Sequence, residues 1–422
     1  MNKLYSKRFR SHHDSYKALK NAFVLGVDKE EYLEKLLSIK QDNNNKVLYI
    51  HVPFCNKICS FCSFVKRNLQ DRRNYHHLII DQIKEYSHYP YMKSPINSVY
   101  FGGGTPTALK PHQLEQILQT LHQEFNLVEG CEISVETSCT ELTDEMLTML
   151  ARNGVNRLSI GVQSFNDEIR TLLGRRGTGE FAYQKVLNAK KYIDNVGIDL
   201  IYNIPGETIE ELQQDLEKIV KLQLSGISFY GLNLLEDTPI LNDITTRQLQ
   251  DMANLDLEFE QFSLIMETLE KHQYKLFELT KLIRDDLDRY DYIRVKHKLG
   301  ECIPIGHSSG GNIGDYYLFN TIGGNKISDE IKISAKGRVL DYKYNILDMF
   351  IFDLQQLEVD LPKYSKLLHF DLEDVLKGDL DKLGNAGYIS YDNGIVKLSR
   401  KGIFFGNNII DELVSTIVKT VK

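Results

Sequence analysis

The chain has 422 residues, 42% of them apolar and 26% charged, with a formal net charge of −7. That length supports two or three domains around a sizeable core. The negative balance excludes general electrostatic capture of nucleic acid, and no apolar run approaches the ~20 residues of a membrane span.

The opening MNKLYSKRFRSHHDSYK is polar and lacks the apolar core of a signal peptide. Six cysteines, three of them clustered, fit a reducing compartment. A cytoplasmic location is therefore expected. Residues 1–46 read as a lead segment. Glu30–Ile39 has helical spacing, and the basic residues before Lys20 are expected on a solvated face.

From Val47 the pattern alternates strand and helix. The expected strands are VLYIHV, SVYFGGG, CEISVET, RLSIGVQS, GIDLIYNIPG and GISFYGLNLL. Between them, helices are expected at Tyr75–Tyr86, Pro111–Phe125, Thr143–Asn153, Glu180–Asp194 and Thr208–Leu224. Six β-then-α units predict parallel strands closed, or partly closed, into a (β/α)6 barrel spanning residues 47–240. An open doubly wound sheet is the alternative, but the run lacks a dinucleotide fingerprint. A barrel places its working groups at the C-terminal ends of its strands. Those ends carry the cysteine loop, Gly102–Pro106, Glu136, Gln163, Asp199 and Asn233.

Cys55, Cys59 and Cys62 follow the first strand in Cys-x3-Cys-x2-Cys spacing. Three thiolates fall one short of a tetrahedral zinc site. They suffice for three corners of a [4Fe–4S] cubane, leaving one iron open to a ligand. Zinc with His51 or Cys131 as the fourth ligand is the competing interpretation. Ile58, Phe61 and Phe64 would shield a cluster from water.

Residues 241–344 are expected to be a charged helical segment followed by a glycine- and serine-rich loop, Cys302–Asn320, covering the active site. Residues 345–422 read as helix, hairpin around Asp392-Asn393-Gly394, and helix, which suggests a winged-helix-like domain. Acidic residues outnumber basic ones there, against DNA binding.

The ordered set Cys-x3-Cys-x2-Cys, Gly-Gly-Gly-Thr-Pro-Thr and Ser-Ile-Gly-Val-Gln-Ser-Phe resembles the radical S-adenosylmethionine (SAM) enzymes, in the branch of the oxygen-independent coproporphyrinogen III oxidases. The resemblance implies a [4Fe–4S] cluster on Cys55, Cys59 and Cys62, with SAM chelating the open iron. It further implies SAM contacts from Tyr49, Phe61, Gly102, Gly103, Gly104, Thr105, Glu136, Gln163, Arg175 and Asp199. Reduced flavodoxin or ferredoxin would supply the electron that splits SAM into methionine and a 5′-deoxyadenosyl radical.

Within the branch, Ser63 and Phe64 stand where a coproporphyrinogen oxidase continues Gly-Cys. The His-Asn-x-x-Tyr-Trp element of the haem chaperones has no counterpart in Arg289–His297. Tyr49–Phe64, Cys131–Phe165, Ile305–Tyr317 and Leu398–Leu413 are most similar to the haem-utilisation radical SAM methyltransferases of anaerobilin-synthase type. The expectation drawn from this is haem opening by methyl transfer with iron release. A haem chaperone or a coproporphyrinogen III dehydrogenase of the same fold are the alternatives. Haem or a related porphyrin is the expected substrate. His307 is a candidate haem contact, and Arg289 and Arg294 are candidate propionate partners.

Overall fold

Six parallel strands form the centre of the fold, as the apolar runs predict. After a short first strand, β1 (Val24–Val27), they are β2 (Lys46–Val52), β3 (Ile96–Gly103), β4 (Leu127–Ser138), β5 (Arg157–Gln163), β6 (Asn195–Tyr202) and β7 (Gly226–Gly231), each of the six paired in parallel with the next. The computed structural model describes residues 4–11, 14, 16–27, 38–62, 72–284, 287–298, 300–321, 332–333 and 337–421. The expected helix Glu30–Ile39 lies mostly outside them, as do Ser63 and Phe64. The crossover helices Arg72–Ser87, Pro111–Glu124, Asp144–Arg152, Gly179–Ala189 and Ile209–Leu222 fall where the sequence places them. Two start as their sequences demand. Thr143 accepts a hydrogen bond from the Met146 N–H, and Thr208 forms a capping box with Glu211.

β7 does not pair back onto β2, so the parallel strands form a partial barrel. A seventh parallel strand, Glu301–Ile305, joins the free edge of β2. Beyond it the antiparallel strands Gly310–Ile313 and Tyr316–Thr321 continue the sheet. The stretch Cys302–Asn320, expected as a loop, is thus a meander. Its glycines serve strand contact: a Cβ on Gly311 would stand 2.0 Å from the Cys302 carbonyl oxygen. At the other edge, the segment expected to be helical supplies Tyr274–Glu278 and Lys281–Arg284, the latter antiparallel to β7. The C-terminal residues form a three-stranded antiparallel sheet, Glu358–Asp360, Ile389–Asp392 and Ile395–Leu398, among five helices. This is the expected winged-helix-like arrangement.

Alternation along each strand separates two environments. Leu48, Ile50, Val99, Phe101, Ile133, Val135, Leu158, Ile160, Val196 and Ile198 are buried in the shell under the helices. The opposite face carries Tyr49, His51, Tyr100, Glu136, Arg157, Ser159, Gln163 and Asp199, so the barrel interior is polar. Its lower end is plugged by the segment after β7. Asp288 is fully buried and bonds Arg157 (Nε–Oδ1 2.8 Å) and Lys281 (Nζ–Oδ2 2.9 Å). Burial would raise the Asp288 carboxyl, but Lys281 and Arg157 overcome it and hold the group well below its ordinary range. Tyr292 stacks on Tyr100 with centroids 4.4 Å apart and closes the floor.

Of the N-terminal basic residues, Lys7 and Lys17 are exposed as expected, but Arg8 and Arg10 are not on a solvated face. Arg8 is buried, bonding Glu258 (2.6 Å), the Tyr202 hydroxyl (2.7 Å) and the Phe404 carbonyl (2.6 Å). Arg10 adds a second clamp on Glu258. The Arg8 guanidinium thereby ties the N-terminal arm to Glu258, to the end of β6 and to the C-terminal helices.

Asp288→Ala leaves two buried cations without a counter-charge. It should lower the unfolding free energy by roughly 3–5 kcal/mol, read as a reduced urea midpoint. An unchanged midpoint would contradict the role given to the plug.

Candidate radical SAM site

The cysteine loop runs from the end of β2 without a strand or helix of its own between Pro53 and Asn56. Its shape comes from neighbours. The Gly104 N–H donates to the Val52 carbonyl (2.8 Å) and the Thr105 N–H to the Phe54 carbonyl (2.7 Å). A Cβ on Gly104 would stand 2.6 Å from the Phe54 carbonyl oxygen, and Gly103, at φ +109°, lies under the His51 ring. The glycine run therefore seats the cysteine loop; that is what its missing side chains make room for. On the far side, the Ser60 N–H donates to the Leu173 carbonyl (3.1 Å) and the Ser60 hydroxyl to the Leu172 carbonyl (2.5 Å). The Ile240 N–H closes the ring by donating to the Ser60 carbonyl (3.0 Å). Phe61 packs with Ile169, Leu173 and Ile201, while Ile58 is exposed.

Cys55, Cys59 and Cys62 are partly exposed. Thr105 Oγ1 donates to Cys55 Sγ at 3.5 Å, and Arg175 Nη1 donates to Cys59 Sγ at 3.2 Å. The other arm of the Arg175 guanidinium holds the Gly161 carbonyl at the end of β5. Burial pushes the Cys55 thiol up, and the Thr105 hydroxyl offsets part of that rise. Among the described residues no three His, Cys, Asp or Glu side chains converge on a single ion. That differs from a zinc shell, whereas a cubane gives each thiolate its own iron. Cys131 sits near the start of β4, remote from the strand ends, and is buried like Cys139 and Cys302. It is not placed to be a fourth ligand. Three thiols, an apolar flank at Phe61 and a guanidinium counter-charge fit an iron–sulfur cluster.

Glu136 and Gln163 line the inner face above the plug. The Tyr100 hydroxyl donates to Glu136 Oε1 (2.7 Å) and the Gly103 N–H to Oε2 (3.2 Å). Burial pushes the Glu136 carboxyl up to about 7, against the lowering effect of the Tyr100 hydrogen bond. Gln163 adopts a left-handed φ of +73° at the end of β5. Asp199 lies level with Gly161, deeper in the barrel, and accepts from the Ser159 hydroxyl (3.3 Å); burial raises its carboxyl as well. Tyr49 is part of the wall, its hydroxyl 3.0 Å from His51 Nδ1 and its ring stacked near Tyr100.

A cavity of about 780 Å³ opens at the mouth and includes Cys62, Asn233, Leu234 and Thr238. Its wall is completed by Asp14, Leu235, Glu236, Asp237 and the arm Lys7–Arg10, which the sequence pattern did not single out. The expected roof, Gly306–Tyr317, is instead part of the sheet. His307 is fully buried, its ring stacked near Tyr75 and its N–H bonded to the Tyr75 hydroxyl (2.9 Å). Arg289 pairs with Asp291 (3.2 Å) and the Gly130 carbonyl at the opposite end of the barrel, and Arg294 bonds the Arg289 carbonyl. None of these three reaches the mouth cavity.

Residues 49–219 match the model of the Radical SAM superfamily. The chain carries a radical SAM domain, and its cofactors are a [4Fe–4S] cluster and SAM. When bound, the cluster and SAM supply one-electron cleavage of a sulfonium. The heme chaperone HemW of Lactococcus lactis is 28% identical over 382 residues, covering 87% of this chain and 96% of that protein. Anaerobilin synthase of Escherichia coli O157:H7 is 32% identical over 212 residues, 49% of this chain and 47% of that protein. Coproporphyrinogen III oxidase (HemN) from Escherichia coli shares the fold, with a TM-score of 0.76 at 21% identity over 92% of this chain and 95% of that one.

Gly104→Ala should displace the cysteine loop and lower iron and acid-labile sulfide per chain after anaerobic reconstitution. Cys55→Ala, Cys59→Ala or Cys62→Ala should abolish the cluster absorption band. A normal band in any cysteine variant would remove the loop from the cluster site.

Glu136 also makes a pH prediction for the protein without ligands. Its folded value, about 7, exceeds the ordinary 4.5, so the folded state holds this proton more tightly than the unfolded state. The resulting stability is fully present below pH 4.5 and is lost as pH rises through 7, by roughly 3 kcal/mol. Glu136→Gln should flatten that slope in denaturant titrations at pH 5 and pH 8. Identical slopes in the two proteins would refute the assignment.

Proposed function

We propose that this protein acts on tetrapyrroles as a haem carrier built on the radical SAM fold, binding haem intact and passing it to an acceptor. The observation that supports it best is the similarity to the heme chaperone of Lactococcus lactis, which extends over 87% of this chain and 96% of that protein. In this proposal the reduced cluster and SAM order the mouth of the barrel. Arg175 holds the second cysteine, and Phe61 and the Lys7–Arg10 arm exclude water. Glu136 would accept hydrogen bonds from SAM's ribose or ammonium group, and Gln163 and Asp199 would complete the polar wall. The chain has no Trp, so the chaperones' His-Asn-x-x-Tyr-Trp element is missing, and haem must be held by other residues.

A second reading has its own support. About half of the chain, 212 residues, is 32% identical to anaerobilin synthase of Escherichia coli O157:H7. Under that reading the same site opens haem by methyl transfer, with reduced flavodoxin or ferredoxin as donor.

One assay separates them. Reconstituted protein is mixed anaerobically with haem, SAM and dithionite. The carrier proposal expects a persistent Soret band, haem recovered intact by mass spectrometry and little 5′-deoxyadenosine. Loss of the Soret band with stoichiometric 5′-deoxyadenosine and a methylated linear tetrapyrrole would replace it with the enzymatic reading. Protoporphyrinogen formed from coproporphyrinogen III would point instead to the dehydrogenase.

A further inference from the structure

A second cavity, about 690 Å³, lies outside the barrel between the helices Arg72–Ser87 and Pro111–Glu124. Its described lining sets Arg72, Arg73 and Lys110 beside His76, His77 and His112, with no carboxylate and no apolar side chain. The chain as a whole carries −7, so the sign of charge is locally reversed here. The cavity meets the first turns of both helices, whose positive dipole ends add to the field. A ligand with a large apolar body does not fit such a wall; a surface rich in carboxylates does.

Like charges gathered this way repel one another. Arg73 and Lys110 are exposed, and among the described residues neither forms an ion pair. Arg72 carries the patch to the cysteine loop. Its guanidinium bonds the Asn56 side chain and the Ala108 carbonyl (2.8 Å), and Asn56 directly follows Cys55. The Asn56 amide nitrogen in turn donates to Glu141 (2.7 Å), so that nearby carboxylate is engaged. Beyond Asn56 the loop turns outward: Lys57 is exposed, and so is Ile58, at 43%. An exposed apolar side chain thus stands between Cys55 and Cys59, continuous through Asn56 and Arg72 with a cluster of cations.

We infer that this surface, from Arg73 and Lys110 across Arg72 to Lys57 and Ile58, is where an acidic electron-carrier protein docks to reduce the cluster. Position sets the task and charge sets the partner. Splitting a sulfonium consumes one electron; the carrier is oxidised by one electron and the cluster accepts it. Cys62 faces the mouth cavity, where SAM and substrate enter. An electron therefore arrives from the outer side of the loop, where Asn56 meets Arg72. Redox partners form small, weak interfaces, in which complementary charge sets the rate of encounter. An acidic carrier is repelled by the chain as a whole, and the local patch overcomes that repulsion. A small anion would fill the cavity alone and leave Lys57 and Ile58 without a purpose. Haem carriage and haem opening both need a reduced cluster, so the docking surface rests on the radical SAM site and serves either.

The test is anaerobic stopped-flow mixing of the reconstituted full chain with reduced flavodoxin or reduced ferredoxin, without SAM, following the bleaching of the cluster band. Arg73→Glu/Lys110→Glu reverses two exposed charges and leaves the core intact. At low ionic strength it should lower the bimolecular rate roughly tenfold or more. Binding of the oxidised carrier, read by fluorescence anisotropy, should weaken in parallel. Added salt should close the gap by slowing wild type. Lys366→Glu/Lys377→Glu makes the same change of charge on exposed C-terminal helix positions and should stay close to wild type. Reduced methyl viologen, a small cation that needs no docking surface, should reduce all three proteins alike. Equal rates for wild type and Arg73→Glu/Lys110→Glu would overturn the inference, as would equal losses in the two double variants or a matching loss with methyl viologen. Failure of both carriers to reduce wild type, where methyl viologen succeeds, would overturn it too. None of these results touches the tetrapyrrole proposal, which is read from the fate of haem.

Discussion

Everything at the site depends on a loop that cannot hold itself. Around Cys55 the chain has no ladder of its own, so the conformation that presents three thiols is imposed by contact. Gly103 and Gly104 give the loop a seat against β3, where any side chain would collide with His51 or Phe54. Ser60 ties the other end to Leu172 and Leu173. Arg175 spans from Cys59 to β5. These restraints come from the end of β3 and from the connection between β5 and β6, so the loop is correct only when the sheet is assembled.

A polar interior is the second constraint, and it explains both edges of the sheet. Glu136 is met by Tyr100 and Gly103 of β3, but buried Arg157 finds its ion pair outside the six parallel strands. The chain after β7 supplies Asp288, Lys281 and Tyr292, closing the floor. The N-terminal arm supplies Arg8 and Arg10, which satisfy Glu258 and wall the mouth. The ends of the chain are thus structural parts of the barrel, and the C-terminal helices are held to it through the Phe404 carbonyl and Glu258.

The central strands were legible because each is a short apolar run and those from β2 to β6 lead into an amphipathic crossover helix, a pattern set by local chemistry. Glu136, Gln163 and the cysteines were legible for the same reason: strand ends in a barrel converge. The flanking strands were not. Gly310–Ile313 reads as a loop because its glycines answer a contact with Cys302, a long-range fact with no local signature. Tyr274–Arg284 was hidden in a charged stretch whose Lys281 is buried by a partner seven residues on. Arg8 looked like a surface cation because its acceptor is Glu258. The cationic histidine cavity was missed because its residues lie on two helices, each ordinary alone.

Haem carriage requires that haem leave this protein unchanged. The direct measurement is transfer. Haem-loaded, reconstituted protein is mixed anaerobically with apomyoglobin in the presence of SAM and reductant, and holomyoglobin formation is followed by its Soret band. The account predicts holomyoglobin equal to the haem loaded, with no linear tetrapyrrole by mass spectrometry. Haem retained on the protein, or converted before it reaches the acceptor, would contradict it.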